Sequence, residues 1–109
     1  MHWIEESTNA SSTSLAQAVV AHAYEVRIEE LKAATRGAPR IAWARQVAMY
    51  LSHTVFGMSI TEVATAFMRH PTTTLHALRH VEDRRSNPEI DRTLNVLEHL
   101  LTHQTGGSA

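Results

Sequence analysis

Residues 59–84, SITEVATAFMRHPTTTLHALRHVEDR, decide the fold. Ser59 stands three residues before Glu62, a pattern in which each side chain can bond a backbone amide at the start of a helix. This helix must end before the His70-Pro71 step, because proline disfavours helical geometry in the residue before it. Pro71 suits the first position of a new helix. The segment therefore predicts a short helix, a turn of three or four residues and a longer helix.

The start of the longer helix has an unusual composition. Thr72, Thr73 and Thr74 are poor helix formers, and capping does not require three of them. Their hydroxyls can donate to phosphate oxygens and their methyl groups can meet a thymine methyl. A helix N-terminus also carries exposed amides and partial positive charge, which favour phosphate. We therefore predict a helix-turn-helix whose second helix enters a DNA groove.

Helical spacing extends to both sides of this segment. Apolar residues recur from about residue 14 to residue 35, which predicts one long amphipathic first helix. The Gly37 and Pro39 signals separate it from a second helix that ends near Gly57. Asn87 and Pro88 repeat the cap-and-proline pattern and open a last helix. The predicted fold class is an all-α bundle of five to six helices with a long first helix.

Length and periodicity predict the domain organisation. A chain of 109 residues has room for one modest core. We assign residues 14–103 to a single helical domain with the helix-turn-helix at about residues 59–84. Residues 1–13 are predicted to be a flexible N-terminus and residues 104–109 a flexible tail.

The charge distribution separates the middle of the chain from its flanks. The net charge is -1, but residues 36–85 hold seven arginines against three carboxylates, a net of +4, while both flanks are acidic. Arginine presents a planar fork of donors suited to phosphate and guanine. A set of solvated helix faces would have the same composition, so charge alone does not assign a role to the candidate DNA-contacting arginines, which are Arg36, Arg40, Arg45, Arg69 and Arg79.

Three stretches resemble the C-terminal DNA-binding domain of the bacterial replication initiator DnaA: residues 44–51 (ARQVAMYL), 59–63 (SITEV) and 72–82 (TTTLHALRHVE). The resemblance implies a Trp-repressor-like helix-turn-helix that binds double-stranded DNA in origin or transcription regulation. The chain has no glycine-rich phosphate loop followed by Lys and Ser/Thr. The expectation is therefore a stand-alone DNA-binding module without ATPase activity and without ATP or any other cofactor.

The resemblance also implies roles for single residues. Arg45 matches a phosphate-contacting arginine, and Thr72 and Thr73 match paired threonines that touch bases and backbone. Arg36 lies within a residue of the loop arginine that the family inserts into the minor groove. The remaining implied contacts are Arg69, just before the threonines, and His76, where the family also has histidine.

The chain departs from the family just before the threonines. The family has an Asp-His pair that reads bases, and this chain has His70 and Pro71, of which His70 is kept as a candidate DNA contact. The expected consequence is a retained docking mode with an altered preference at a DnaA-box-like site, or weaker specificity.

Several other classes of protein are not indicated. The chain has no cysteine, no signal peptide and no apolar stretch long enough to span a membrane, so we expect a cytoplasmic, nucleoid-associated protein without a membrane partner. The pairs His76/His80 and His99/His103 share helix faces, but neither has an evident third ligand for zinc. No arrangement of Ser, His and carboxylate indicates catalysis.

One rival function remains open from the sequence. The acidic flanks and the lost Asp-His pair are also compatible with a helical protein-interaction module whose DNA surface has degraded. In that case the first or last helix would hold a homodimer or another protein.

Overall fold

The computed structural model describes the backbone of residues 2–106 and the side chains of residues 9–103. This part of the chain folds into six helices and contains no strand, which confirms the predicted all-α class. The helices are α1 (His2–Tyr24), α2 (Ile28–Lys32), α3 (Pro39–Thr54), α4 (Ile60–Ala66), α5 (Pro71–Arg84) and α6 (Pro88–Gly106).

The prediction of one helix over residues 14–35 is wrong, because the chain turns at Glu25. Glu25 adopts the left-handed conformation with φ 54°. The amide of Val26 donates to the carbonyl of Ala21 at 3.0 Å, and the Glu25 amide donates to His22 at 3.4 Å. This pair of bonds is a Schellman ending of α1. The turn lets α2 bury Leu31, while the apolar residue Ile28 is 38% exposed.

Both terminal helices extend beyond the predicted domain of residues 14–103. The backbone of residues 2–13, predicted to be flexible, forms the first part of α1. Thr13 is buried and its hydroxyl donates to the sulfur of Met58 at 3.7 Å, so α1 packs onto the core earlier than the apolar spacing suggested. In the predicted tail, residues 104–106 belong to α6 and residues 107–109 lie outside the described residues.

Helix α3 is the centre of the fold. It packs against α1, α2, α4 and α5, and most of its residues are buried. Val47 and Leu51 are fully covered and belong to one continuous core with Val20, Leu31 and Val63. Burying an aliphatic side chain contributes about 1.5–3 kcal/mol before the loss of chain entropy is counted. The other helices are thereby held around α3.

The helix starts follow the predicted caps. Ser59 accepts from the Glu62 amide at 3.1 Å, and Glu62 accepts from the Ser59 amide at 2.8 Å. Asn87 accepts from the Glu89 amide at 2.9 Å, directly before the proline that opens α6. The predicted short helix, turn and longer helix are confirmed as α4, residues 67–70 and α5.

The turn between α4 and α5 contains a strained residue. Met68 has φ 52°, a region that favours glycine, and its side chain is 75% exposed. Its amide donates to Thr65 at 3.2 Å, and the following amide, of Arg69, donates to Ala64 at 2.9 Å. These bonds end α4 in the same way as α1 ends.

Replacing Met68 with glycine should therefore stabilise the domain. A non-glycine residue in this conformation destabilises the folded state by roughly 1–2 kcal/mol. Glycine removes this strain, but the greater freedom of its unfolded chain offsets roughly 0.5–1 kcal/mol of the gain. We expect Met68→Gly to raise the free energy of unfolding by about 0.5–1 kcal/mol, measured by urea denaturation. Met68→Ala is the control, because it removes the exposed side chain and keeps the strain. An equal gain in both variants would contradict this explanation.

Candidate nucleic-acid interface

Helix α5 presents a row of exposed polar side chains. Thr72, Thr73, His76 and Arg79 are all exposed. His76 follows Thr72 by four residues and Thr73 by three, and Arg79 follows His76 by three, so the four side chains lie along one side of the helix. On the opposite side, Leu78 and Val81 are buried in the core, which fixes the orientation of the helix.

His70 and Pro71 determine how α5 begins. The Nδ1 atom of His70 accepts a hydrogen bond from the Thr72 amide at 3.1 Å, so the imidazole caps the helix. Pro71 occupies the first turn, where a missing N–H costs nothing. The exposed ring of His70 stays at the tip of the helix. His70 is a predicted DNA contact, but its capping role was not predicted, because a capping histidine is less common than Ser, Thr, Asp or Asn.

A groove of about 590 Å³ lies between the start of α3, the loop before it and α5. It contains three arginines and two histidines and no carboxylate. A concave surface lined by one sign of charge concentrates the electrostatic potential, and here the sign favours an anion. The polar and charged lining residues are Arg36, Arg45, Gln46, Arg69, Thr73, His76 and His80.

Two of these lining residues were not among the predicted contacts. His80 follows His76 by one helical turn, so the helical period could have identified it as a lining residue. Gln46 is the neighbour of Arg45 on α3. The ring of His80 also meets Trp43 edge-on, with 5.8 Å between the centroids. This contact links α5 to α3 at the border of the groove.

Arg45 is placed differently from the sequence prediction. Its side chain was expected to reach phosphate, but the residue is only 4% exposed. The Nε atom donates to the Leu31 carbonyl at 2.8 Å, and the two terminal nitrogens donate to Arg36 at 2.9 Å and Glu30 at 2.8 Å. Burial lowers the pKa of Arg45, and the nearby Arg69 guanidinium lowers it further. The guanidinium still remains charged at neutral pH, because arginine titrates so far above it.

Arg69 and Arg40 also bond to backbone carbonyls. The two terminal nitrogens of Arg69 donate to Phe67 at 3.0 Å and to Ala33 at 2.9 Å, which joins the turn of the helix-turn-helix to the end of α2. Arg40 is exposed, and one terminal nitrogen donates to Glu25 at 3.2 Å. This places a positive charge at the C-terminus of α1, where the helix dipole favours it. Arg40 therefore helps to hold the break between α1 and α2.

Arg36 and Arg79 keep their guanidinium groups in solvent. Both residues are exposed, and within the part of the chain that the structure describes neither side chain has a hydrogen-bond partner. Arg36 precedes Gly37, whose φ of 77° turns the loop before α3. Of the predicted arginines, these two are the ones whose side chains donate no hydrogen bond within the described part of the chain.

Thr74 is not available, and its predicted contact with DNA is corrected. The residue is fully buried, and its hydroxyl is the unpaired buried side-chain group found among the described residues. Helical geometry explains the difference: Thr72 and Thr73 lie on the outer side of α5, whereas Thr74 points into the core with Ala77 and Leu78.

Arg85, counted in the positive middle of the chain, is neutralised. It donates to Asp91 at 2.6 Å and to Glu98 at 3.1 Å, and its side chain is 15% exposed. Tyr50 contacts both Arg85 and Glu82 from α3. Burial raises the pKa of Tyr50, as does its hydrogen bond to Glu82. This cluster fastens α6 to the end of α5 and contributes no charge to the groove.

The histidine pairs do not gather further metal ligands in the described part of the chain. His99 and His103 lie on the same side of α6 with ring centroids 4.0 Å apart. Among side chains that the structure describes, no group of three His, Cys, Asp or Glu residues lies close enough to hold an ion. None of the helices in that part of the chain is long and apolar enough to cross a membrane.

The fold and this surface define a helix-turn-helix protein of the DNA-binding class. Residues 13–81 match the model of the family described as the bacterial dnaA protein helix-turn-helix. The chain therefore belongs to the bacterial DnaA helix-turn-helix family. This confirms the resemblance drawn from residues 44–51, 59–63 and 72–82.

Relatives and solved structures agree with the family. The chromosomal replication initiator protein DnaA of Bordetella pertussis is 39% identical over 87 residues, which cover 78% of this chain and 18% of that protein. The corresponding protein of Leptothrix cholodnii is 38% identical over 87 residues, 78% of this chain and 17% of its own length. This chain thus spans less than a fifth of these relatives.

Two solved structures share the fold. One, described as a DNA replication initiation factor, has a TM-score of 0.82 at 30% identity and covers 92% of this chain and 31% of that chain. The other, replication initiator DnaA bound to AMPPCP and single-stranded DNA, has a TM-score of 0.79 at 28% identity and covers 93% and 30%. The six-helix arrangement is therefore that of the DnaA helix-turn-helix region.

The unpaired Thr74 hydroxyl gives a stability prediction for this helix. Thr74→Val keeps the shape of the side chain and removes a buried polar group that lacks a partner, a cost of about 1–3 kcal/mol. We expect the free energy of unfolding to rise by about 1 kcal/mol, measured by urea or thermal denaturation. Thr73→Val is the matched control and should change it by less than about 0.5 kcal/mol, since residue 73 is exposed. A loss of stability in Thr74→Val would show that the hydroxyl has a partner.

Proposed function

We propose that this chain binds double-stranded DNA, with the start of α5 in the major groove and the loop around Arg36 at the neighbouring backbone or minor groove. The observation that carries the proposal is the exposed row on α5 beside a groove that holds arginines and no carboxylate. The DNA backbone presents a line of phosphates, which arginines bind. A helix N-terminus favours phosphate as well. Family membership supports the same assignment.

The proposed contacts fall into two kinds. Arg36 and Arg79 would approach phosphates or the minor groove, because their guanidinium groups are exposed and without partners in the described part of the chain. Thr72, Thr73 and His76 would face base edges or sugar-phosphate from the front of α5. His70 would contact DNA at the N-terminal tip of α5, where its Nδ1 atom caps the helix.

The preferred DNA sequence is proposed to differ from that of the family. Pro71 offers no hydrogen-bond donor, and the ring nitrogen of His70 that could accept one is occupied by the Thr72 amide. We infer that the docking mode is shared while a DnaA-box-like site is read with altered or weaker preference. The proposed setting is replication-origin or transcription regulation at the nucleoid, by binding and without ATP hydrolysis by these residues.

Removing the Arg36 charge should weaken binding to any duplex. The logarithm of DNA affinity falls with the logarithm of salt concentration by about 0.9 for each phosphate neutralised. We expect Arg36→Gln to make this slope less steep by about 0.9 on random-sequence duplex, measured by fluorescence anisotropy. Arg92→Gln on α6 is the control, because Arg92 is exposed and does not line the groove. No affinity for duplex even at low salt would contradict the proposed function and favour a protein-interaction module.

Changing Thr72 should alter sequence preference more than overall affinity. Thr72→Val removes a hydroxyl at the front of α5 and leaves the charge unchanged. When binding sites are selected from a random duplex pool, we expect the sites of this variant to differ from those of the unchanged protein. The discrimination between bases at the affected pair should fall by about 1–3 kcal/mol. Equal losses on selected and random duplex would argue against base reading by this residue.

A further inference from the structure

His70 is held at the tip of α5 by hydrogen bonds to both its ring and its main chain. The Nδ1 atom accepts from the Thr72 amide at 3.1 Å, and the backbone carbonyl accepts from the Thr74 amide at 2.9 Å. A proline follows directly and restricts the backbone further. The imidazole therefore has a defined position relative to the helix, although the residue is exposed.

The cap also decides which ring nitrogen carries the proton. A backbone N–H can only donate, so Nδ1 of His70 must be the unprotonated nitrogen. In a neutral imidazole the proton then lies on Nε2, which points away from the Thr72 amide. Within the described part of the chain Nε2 has no hydrogen-bond partner. The tip of α5 thus carries an exposed N–H donor whose tautomer is fixed.

We propose that the Nε2–H of His70 donates to the N7 atom of a guanine in the major groove, and that the cap fixes this preference. Guanine alone among the bases presents two acceptors, N7 and O6, and no donor at its major-groove edge. Cytosine presents an amino donor there, and adenine places an amino donor beside its N7. This inference rests on the proposed function and goes beyond it by naming the base and the atom that His70 recognises.

The position of His70 favours a base over a phosphate as its partner. The residues that line the arginine groove include Arg69 and Thr73 but not His70. In helix-turn-helix proteins the first residues of the second helix contact base edges. Pro71 has no N–H and the Thr72 amide is occupied by the cap, so the imidazole supplies the donor at this point.

A serine substitution removes the donor and keeps a cap. His70→Ser retains a side-chain oxygen that accepts from an amide of the first turn. When sites are selected from a random duplex pool, the unchanged protein should prefer guanine at one position, and His70→Ser should lose that preference. Its affinity for the selected site should fall about three- to tenfold, as expected for one hydrogen bond.

His99→Ser on α6 is the matched control. His99 is exposed and does not line the groove, so this variant should select the same sites as the unchanged protein. Urea denaturation of His70→Ser would show whether the serine cap maintains the stability of the domain.

An analogue duplex tests the same contact from the side of the DNA. In 7-deazaguanine a C–H group replaces N7, and the base-pairing edge is unchanged. At the preferred guanine this analogue should weaken binding by the unchanged protein about three- to tenfold. It should weaken binding by His70→Ser no further, because both changes remove one contact. An equal loss for both proteins, or no loss for either, would overturn the proposal.

The tautomer is measured on the unchanged protein, so this test needs no variant. Nitrogen-15 NMR of the His70 ring should show an unprotonated Nδ1 and a protonated Nε2, and the Nε2 signal should shift when duplex is added. A protonated Nδ1 would overturn the proposal. Duplex binding without a guanine preference, or with one that His70→Ser retains, would overturn it and leave the proposed function standing. No duplex binding even at low salt would overturn the proposed function, and the guanine contact with it.

Discussion

The arrangement of the interface depends on one buried guanidinium. Arg45 reaches from the central helix to three carbonyls at the end of α2 and in the following loop. Those carbonyls need donors, and the segment has no regular structure beyond its single helical turn to provide them. The position of the loop relative to α5 therefore follows from a side chain that a simple count of charges would have placed in solvent.

The folded structure separates arginines that bond within the protein from arginines that are exposed without a partner in the described part of the chain. Seven arginines in the middle of the chain gave a net charge of +4. In the folded protein Arg85 is paired with two carboxylates, and Arg40, Arg45 and Arg69 bond backbone carbonyls. The carbonyls carry no net charge, so these three still contribute to the local potential while being fixed in place. The groove is therefore positive because arginines and no carboxylate line it, although the whole chain has a net charge of -1.

The sequence predicted those features that depend on a few neighbouring residues. The capping pair at Ser59 and Glu62, the proline at the start of α5 and the Asn87-Pro88 step are local signals, and the structure confirms the elements they announced. The break at Glu25 could not be predicted, because glutamate rarely adopts positive φ and does so here to let α2 bury Leu31. The burial of Arg45 and Thr74 likewise depends on which face meets the core, and that is decided by tertiary packing.

We propose that DNA contacts the front of α5 and the loop around Arg36 as one surface. This is tested by adding duplex DNA to the nitrogen-15-labelled protein and following the backbone amides by NMR. We expect the largest changes in residues 34–37 and 69–76 and little change in α6. The proposal would be contradicted if the changes concentrated on α6 or on the outer side of α1 while residues 69–76 stayed in place.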